Sequence, residues 1–154
     1  VLLVFIHGFR GSDQTFEGFP EQLKSSLHGL IPEAHINIAV YPQFETKGSI
    51  NKAIDGFCDW LKGIEGHRRS QPGGDIPLLT VMIGHSMGGL LGSDAYLRYL
   101  SEKQDTNLSK DSLYQPFPEL LGIIAYETPF YGLNKNMFSR HATSKASTIS
   151  SVAT

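Results

Sequence analysis

Four short apolar runs punctuate the chain: Val1–Ile6, Ile36–Tyr41, Pro77–Ile83 and Leu120–Tyr126. The first and third are almost unbroken in hydrophobicity and rich in branched residues, which suits strands buried on both faces, as a parallel sheet requires. Helical patterns lie between them. Pro20–Leu27 opens with proline at a first-turn position and is followed by Gly29, which can stop a helix. Ser49 is placed to cap a second helix, in which Ile50, Ile54, Phe57, Leu61 and Ile64 fall on one face with Cys58 beside them. Met87–Leu100 predicts a third helix, apolar around most of its circumference and so well buried. Glu65–Asp75 and Ser101–Pro118 read as exposed polar loops at the edge of the sheet away from any site. Strand and helix in strict alternation predict an α/β fold with a mostly parallel sheet, helices on both faces and right-handed crossovers. There is no internal repeat.

Composition narrows the function classes. The 154 residues are enough for one domain, and 40% hydrophobic content can fill its core. A net charge of -2 argues against a nucleic-acid binder, which carries a basic surplus. No apolar run approaches the roughly 20 residues of a membrane-spanning helix. The single cysteine, Cys58, cannot form an internal disulfide and reads as a buried thiol. The chain opens on Val1, already inside an apolar run, so no signal peptide is readable either way. Residues 1–141 are expected to form a partial α/β domain. Residues 142–154, seven of the thirteen being Ser or Thr, are expected to be a weakly ordered end or a point of truncation. A fragment of a longer protein is the expectation.

The chemistry concentrates in two glycine-rich segments. Gly84-His85-Ser86-Met87-Gly88, followed by Gly89, sits between the third strand and the third helix. This is the G-x-S-x-G nucleophile elbow in the context it needs. A sharp strand-to-helix turn lifts the Ser86 hydroxyl clear of the sheet. Glycines on either side remove the Cβ atoms that would clash. The helix N-terminus offers free N–H groups and positive potential to a developing oxyanion. The second segment, His7-Gly8-Phe9-Arg10-Gly11, ends the first strand. An oxyanion hole takes one N–H from the residue after the nucleophile, here Met87, and one from a neighbouring loop, for which Phe9 is best placed, with Arg10 behind it. A chance match to the elbow and an ordinary Gly-rich turn are the bland alternatives.

These residues resemble the α/β-hydrolase superfamily, and within it the lipase-like serine esterases. The carriers are HGFRG at 7–11, GHSMGG at 84–89 and YETPFYGL at 126–133. The third is similar to a Gly-Thr-Pro-His-x-Gly segment of lipase-like members, with Glu127 where glycine is usual and Phe130 where histidine is usual. The resemblance covers most of residues 1–133. It implies a partial three-layer α/β-hydrolase fold whose four strands correspond to strands three to six of the superfamily sheet. The first and third runs would then lie side by side and bring Phe9 to Ser86. It also implies an acyl-enzyme serine hydrolase acting on lipid-like esters. The sequence leaves the compartment open, with an intracellular place, cytoplasmic or membrane-associated, preferred and contact with a membrane surface for access to substrate left open. A small-molecule or lipid ester is the expected partner. Phe9, Phe130 and Tyr131 would suit an apolar acyl group, and suit plain packing equally.

The triad of the superfamily runs serine, acid, histidine. Only His141 follows Ser86, and Glu127 lies between them, so a short triad of Ser86, Glu127 and His141 obeys the order without a strand to carry the histidine. The acid and base are expected beyond Thr154. His7 is expected beneath the oxyanion loop, His85 pointing away from the hydroxyl, and His28, His35 and His67 at the surface. No pair of histidines stands at ligand spacing and no phosphate-loop ending follows the glycines, so no metal and no cofactor are expected. Arg68-Arg69 reads as a solvated pair. Two other readings remain open. One is an inactive interaction module with a vestigial elbow, and the other is an amidase or thioesterase on the same machinery. The last strand is expected at an exposed sheet edge.

Overall fold

In the computed structural model, which describes residues 1–44, 49–71, 76, 78–105 and 118–132, a strand overlaps each apolar run. These are β1 (Leu2–Ile6), β2 (Asn37–Val40), β3 (Leu79–His85) and β4 (Glu119–Tyr126). All four are parallel and lie in the order β2-β1-β3-β4. Every residue of β1 is buried, as its unbroken hydrophobicity requires of a strand covered on both faces. His141, residues 142–154 and residues 106–117 of the second polar connection lie outside the described residues.

Alternation along β1 assigns the two faces. Leu2, Val4 and Ile6 join Met82 against α2 (Ile50–Arg69) and α3 (Met87–Asp105), through Ile54, Phe57, Leu61, Leu91 and Ala95. Leu3, Phe5 and Ile83 form the opposite layer with Leu23 and Leu27 of α1 (Phe19–Leu30). The α/β architecture with helices on both faces is therefore present. β4 stands at the edge of the described sheet, with Leu121 57% and Ile124 45% exposed. Cys58 is half-buried on α2, packed against the core.

Residues 101–105, read as the start of the second polar connection, continue α3. Three further expectations need correction. First, α1 runs through Gly29 to Leu30, and the Ile31 N–H closes on the Leu27 carbonyl; glycine weakens a helix without ending it when the next turn still closes. Second, α3 is not buried around its circumference. It buries a narrow strip of Gly88, Gly89, Leu91, Gly92 and Ala95 and leaves Leu97 62% exposed. Small residues on that strip let the helix axis approach the sheet, so only a narrow face is covered.

The third concerns Glu65, which is not in a loop. It lies in the last turns of α2, one helical repeat past Leu61, and is only 3% exposed. Its carboxylate accepts from Arg68 Nε at 2.9 Å, Arg68 Nη2 at 2.6 Å and Arg69 Nε at 2.8 Å. Arg68 also donates to the Ile76 carbonyl, tying the helix end to the entry of β3. The two arginines are thus the means by which a buried carboxylate is tolerated.

Burial by itself raises the Glu65 pKa, but the hydrogen bonds and charges of Arg68 and Arg69 outweigh it and hold the carboxyl below its ordinary value. A folded value below the unfolded one contributes stability above the ordinary carboxylate range, and that stability is lost as pH falls through the lowered folded value. Glu65→Gln should therefore flatten the acid side of a plot of Tm against pH. An unchanged acid limb would show that the carboxylate contributes nothing through its ionisation.

Candidate active site

β3 delivers its last residues to the C-terminal edge of the sheet, where ligands of parallel α/β sheets bind. The chain turns there on Ser86, whose φ is 54°, in the left-handed region that ordinary side chains avoid. The turn is braced on both sides. Ser86 N–H donates to the Tyr126 carbonyl at the end of β4 (2.8 Å), and Gly89 N–H donates back to the Ser86 carbonyl (3.2 Å). Met87 begins α3, so its N–H belongs to the first turn, which has no partner within the helix.

The segment after β1 comes against this turn because β1 and β3 are paired neighbours, Ile6 opposite Gly84. Gly11 N–H bonds the Gly8 carbonyl at 3.0 Å, closing a tight turn with Phe9 and Arg10 at its centre. Arg10 takes φ 57° there, and its guanidinium lies 5.4 Å over the Phe9 ring. The turn's own hydrogen bond is donated by Gly11 and does not engage the Phe9 N–H. A Cβ at Gly8 would stand 2.8 Å from the Ser86 Cβ and 3.0 Å from the His85 carbonyl oxygen, so glycine is what allows this approach. The structure brings Ser86, Met87 and the Phe9 turn to one place.

His7 is fully buried below the turn. Its Nδ1 faces the Gly8 carbonyl at 3.1 Å, its Nε2 faces the Pro42 carbonyl at 3.3 Å, and its ring stacks on Phe44 at 4.7 Å. It packs beneath the loop and ties it to the segment after β2. His28, His35 and His67 are exposed. The third segment follows β4. Glu127 has φ 49°, and Thr128 packs so closely on the first turn of α3 that a Cβ at Gly89 would overlap its side chain.

His85 Nε2 is 3.7 Å from Glu127 Oε2, a loose contact across an open edge. The Nδ1 atom of His85 is buried without a partner. Among the described residues, no histidine ring hydrogen-bonds the Ser86 hydroxyl. Glu127 is brought beside the elbow, but its neighbour is His85.

An open cleft of about 450 Å³ runs along this edge on the α1 side, lined by Thr15, Phe16, Phe19, His85, Tyr126 and Glu127. Phe9, Phe130 and Tyr131, the aromatic residues expected to suit an apolar acyl group, are not among the residues that line this cleft. Phe16 and Phe19 come from a 3₁₀ turn (Asp13–Phe16) and the start of α1, and both meet the buried Phe5 edge-on, with centroids 5.2 and 6.0 Å away. The available signal was the apolar Phe16 and Phe19 directly after a polar glycine turn, but nothing local says which sheet edge they reach.

Comparison with protein-family models and with curated proteins gives no match to this chain. No helix among the described residues is long and apolar enough to cross a membrane.

Proposed function

We propose that the protein is a serine hydrolase of the α/β-hydrolase type, related to lipase-like esterases, with Ser86 as its nucleophile. The observation that carries this reading is the strained Ser86 at φ 54°, on a strand-to-helix turn against which the Gly8–Gly11 turn is packed. Backbone strain of this kind persists only where the surroundings over-determine it, and it concentrates at functional sites. The Met87 N–H, in the first turn of α3, and the Phe9 N–H, in the turn closed by Gly11 on Gly8, flank the same serine and suit an oxyanion hole.

In the proposed reaction a general base takes the Ser86 hydroxyl proton as Oγ attacks the ester carbonyl carbon. The carbonyl oxygen becomes an oxyanion held by the Met87 and Phe9 N–H groups. Collapse expels the alcohol, which receives the proton from the base, and leaves an acyl-enzyme. Water then hydrolyses the acyl-enzyme by the same steps in reverse order of groups. The base and its orienting acid come from outside the described residues. Carboxylic esters, lipid-like ones included, are the substrate class, and the aromatic lining of the adjacent cleft suits an apolar portion. Amides and thioesters differ in leaving group alone and are separated by substrate profiling.

A fluorophosphonate probe, which phosphonylates activated serines, tests the reading. The full natural chain should label, and Ser86→Ala should abolish labelling. His141→Ala should leave it intact if the base lies beyond Thr154, and loss there would place the base at His141. Absence of Ser86-dependent labelling in folded protein would overturn the hydrolase and favour an interaction module that keeps the elbow without its chemistry.

A further inference from the structure

Glu127 holds a conformation that costs it. At φ 49° a glycine would sit without strain, yet the position carries a long acidic side chain, 88% exposed and aimed along the cleft edge toward His85. The loose 3.7 Å contact to His85 leaves the carboxylate oxygens with capacity for a ligand. Three aromatic side chains, Phe16, Phe19 and Tyr126, line the same cleft as that carboxylate. The first two are held by their edge-on contacts with Phe5. Aromatic rings and one carboxylate around an open volume are the chemistry that can recognise an organic ammonium ion, through cation–π attraction and charge. The cleft adjoins the nucleophile: His85 precedes Ser86 in the chain, and the Tyr126 carbonyl accepts from Ser86 N–H.

We propose that this cleft binds an alkylammonium group, with Glu127 as the residue that determines the preference, so that the esters cleaved at Ser86 are those carrying a cationic group. The substrate statement rests on the hydrolase reading above; the cation site itself does not.

Choline and its uncharged carbon isostere serve as probes, because they differ in charge and scarcely in shape. Titration followed by NMR should move the ring resonances of Phe16, Phe19 and Tyr126 with choline. The isostere should bind at least about tenfold more weakly. Glu127→Gln should remove that discrimination. Glu127→Gly should remove it as well while raising Tm, because glycine accepts the positive φ, so loss of binding cannot be laid to unfolding. Equal binding of the two probes, choline shifts confined to other residues, or discrimination that survives Glu127→Gln would each overturn the site. Fluorophosphonate labelling of the same samples separates the two ideas. Ser86-dependent labelling without choline preference removes the cation site and keeps the hydrolase. Choline preference without labelling keeps the site and removes the hydrolase.

Discussion

Ser86→Gly is expected to lower the proposed esterase turnover by about 10⁴-fold or more, and at the same time to make the protein more stable by about 1 kcal/mol. The two effects have separate causes. The hydroxyl is the proposed nucleophile, and no neighbouring side chain among the described residues replaces it. The backbone φ of 54° is strained for serine and ordinary for glycine, so the substitution releases the strain and outweighs the extra freedom glycine gives the unfolded chain. The opposite signs are diagnostic of a site that holds strain for its chemistry. Turnover and thermal melts on the same preparation read both. Retained turnover would remove Ser86 from the mechanism. A lowered Tm would show that the hydroxyl, and not the turn geometry, holds the segment.

Gly88→Ala should be among the most destabilising single methyl additions in the described chain. A Cβ there would overlap the Ile6 carbonyl oxygen and come within 2.7 Å of the His7 carbonyl oxygen. Both are backbone atoms at the end of the central strand β1, and Ile6 and His7 are fully buried, so neither can rotate away. Relief requires α3 to back off the sheet, with loss of the Leu91 and Ala95 packing and displacement of the elbow. The cost should be about 3 kcal/mol, a fall in Tm of about 9 °C for a domain of this size. Gly63→Ala is the control. Nothing lies within 4 Å of its Cβ position in the middle of α2, so the better helix former should raise stability by about 0.5–1 kcal/mol. Equal effects at both positions would mean that the close approach of α3 to β1 does not exist in solution.

Much of this fold is written locally. β1 and β3 are legible because burial on both faces demands continuous hydrophobicity, and α2 is legible from Ile54 through Leu61 because one helical stripe faces the core. The sharp turn at Ser86 is legible because glycines flank a serine directly between a buried strand and a helix, where a chain reversal is needed. What misled was polarity taken as exposure. Glu65 with two following arginines reads as a solvated connection, although the spacing from Leu61 to Glu65 continues the buried stripe and the arginines stand three and four residues on, where helical neighbours meet. α3 misled in the opposite direction. Its apolar circumference suggested deep burial, but glycine and alanine on the contacting strip bring the sheet so near that Leu97 is left outside.

The sequence by itself determined the order of elements, the α/β class, and the serine and glycines of the elbow. These depend on periodicity and turn chemistry, which act over a few residues. The resemblance already implied that β1 and β3 lie side by side; the tertiary structure decided the rest of the strand order and what it brings to the elbow's edge. The β2-β1-β3-β4 order sets Gly8 against Ser86 and carries Glu127 to His85, and the side of the sheet taken by α1 puts Phe16 and Phe19 beside Tyr126. Such pairings join residues far apart along the chain. They are selected by which faces bury together, a property of the whole sheet that no single segment carries.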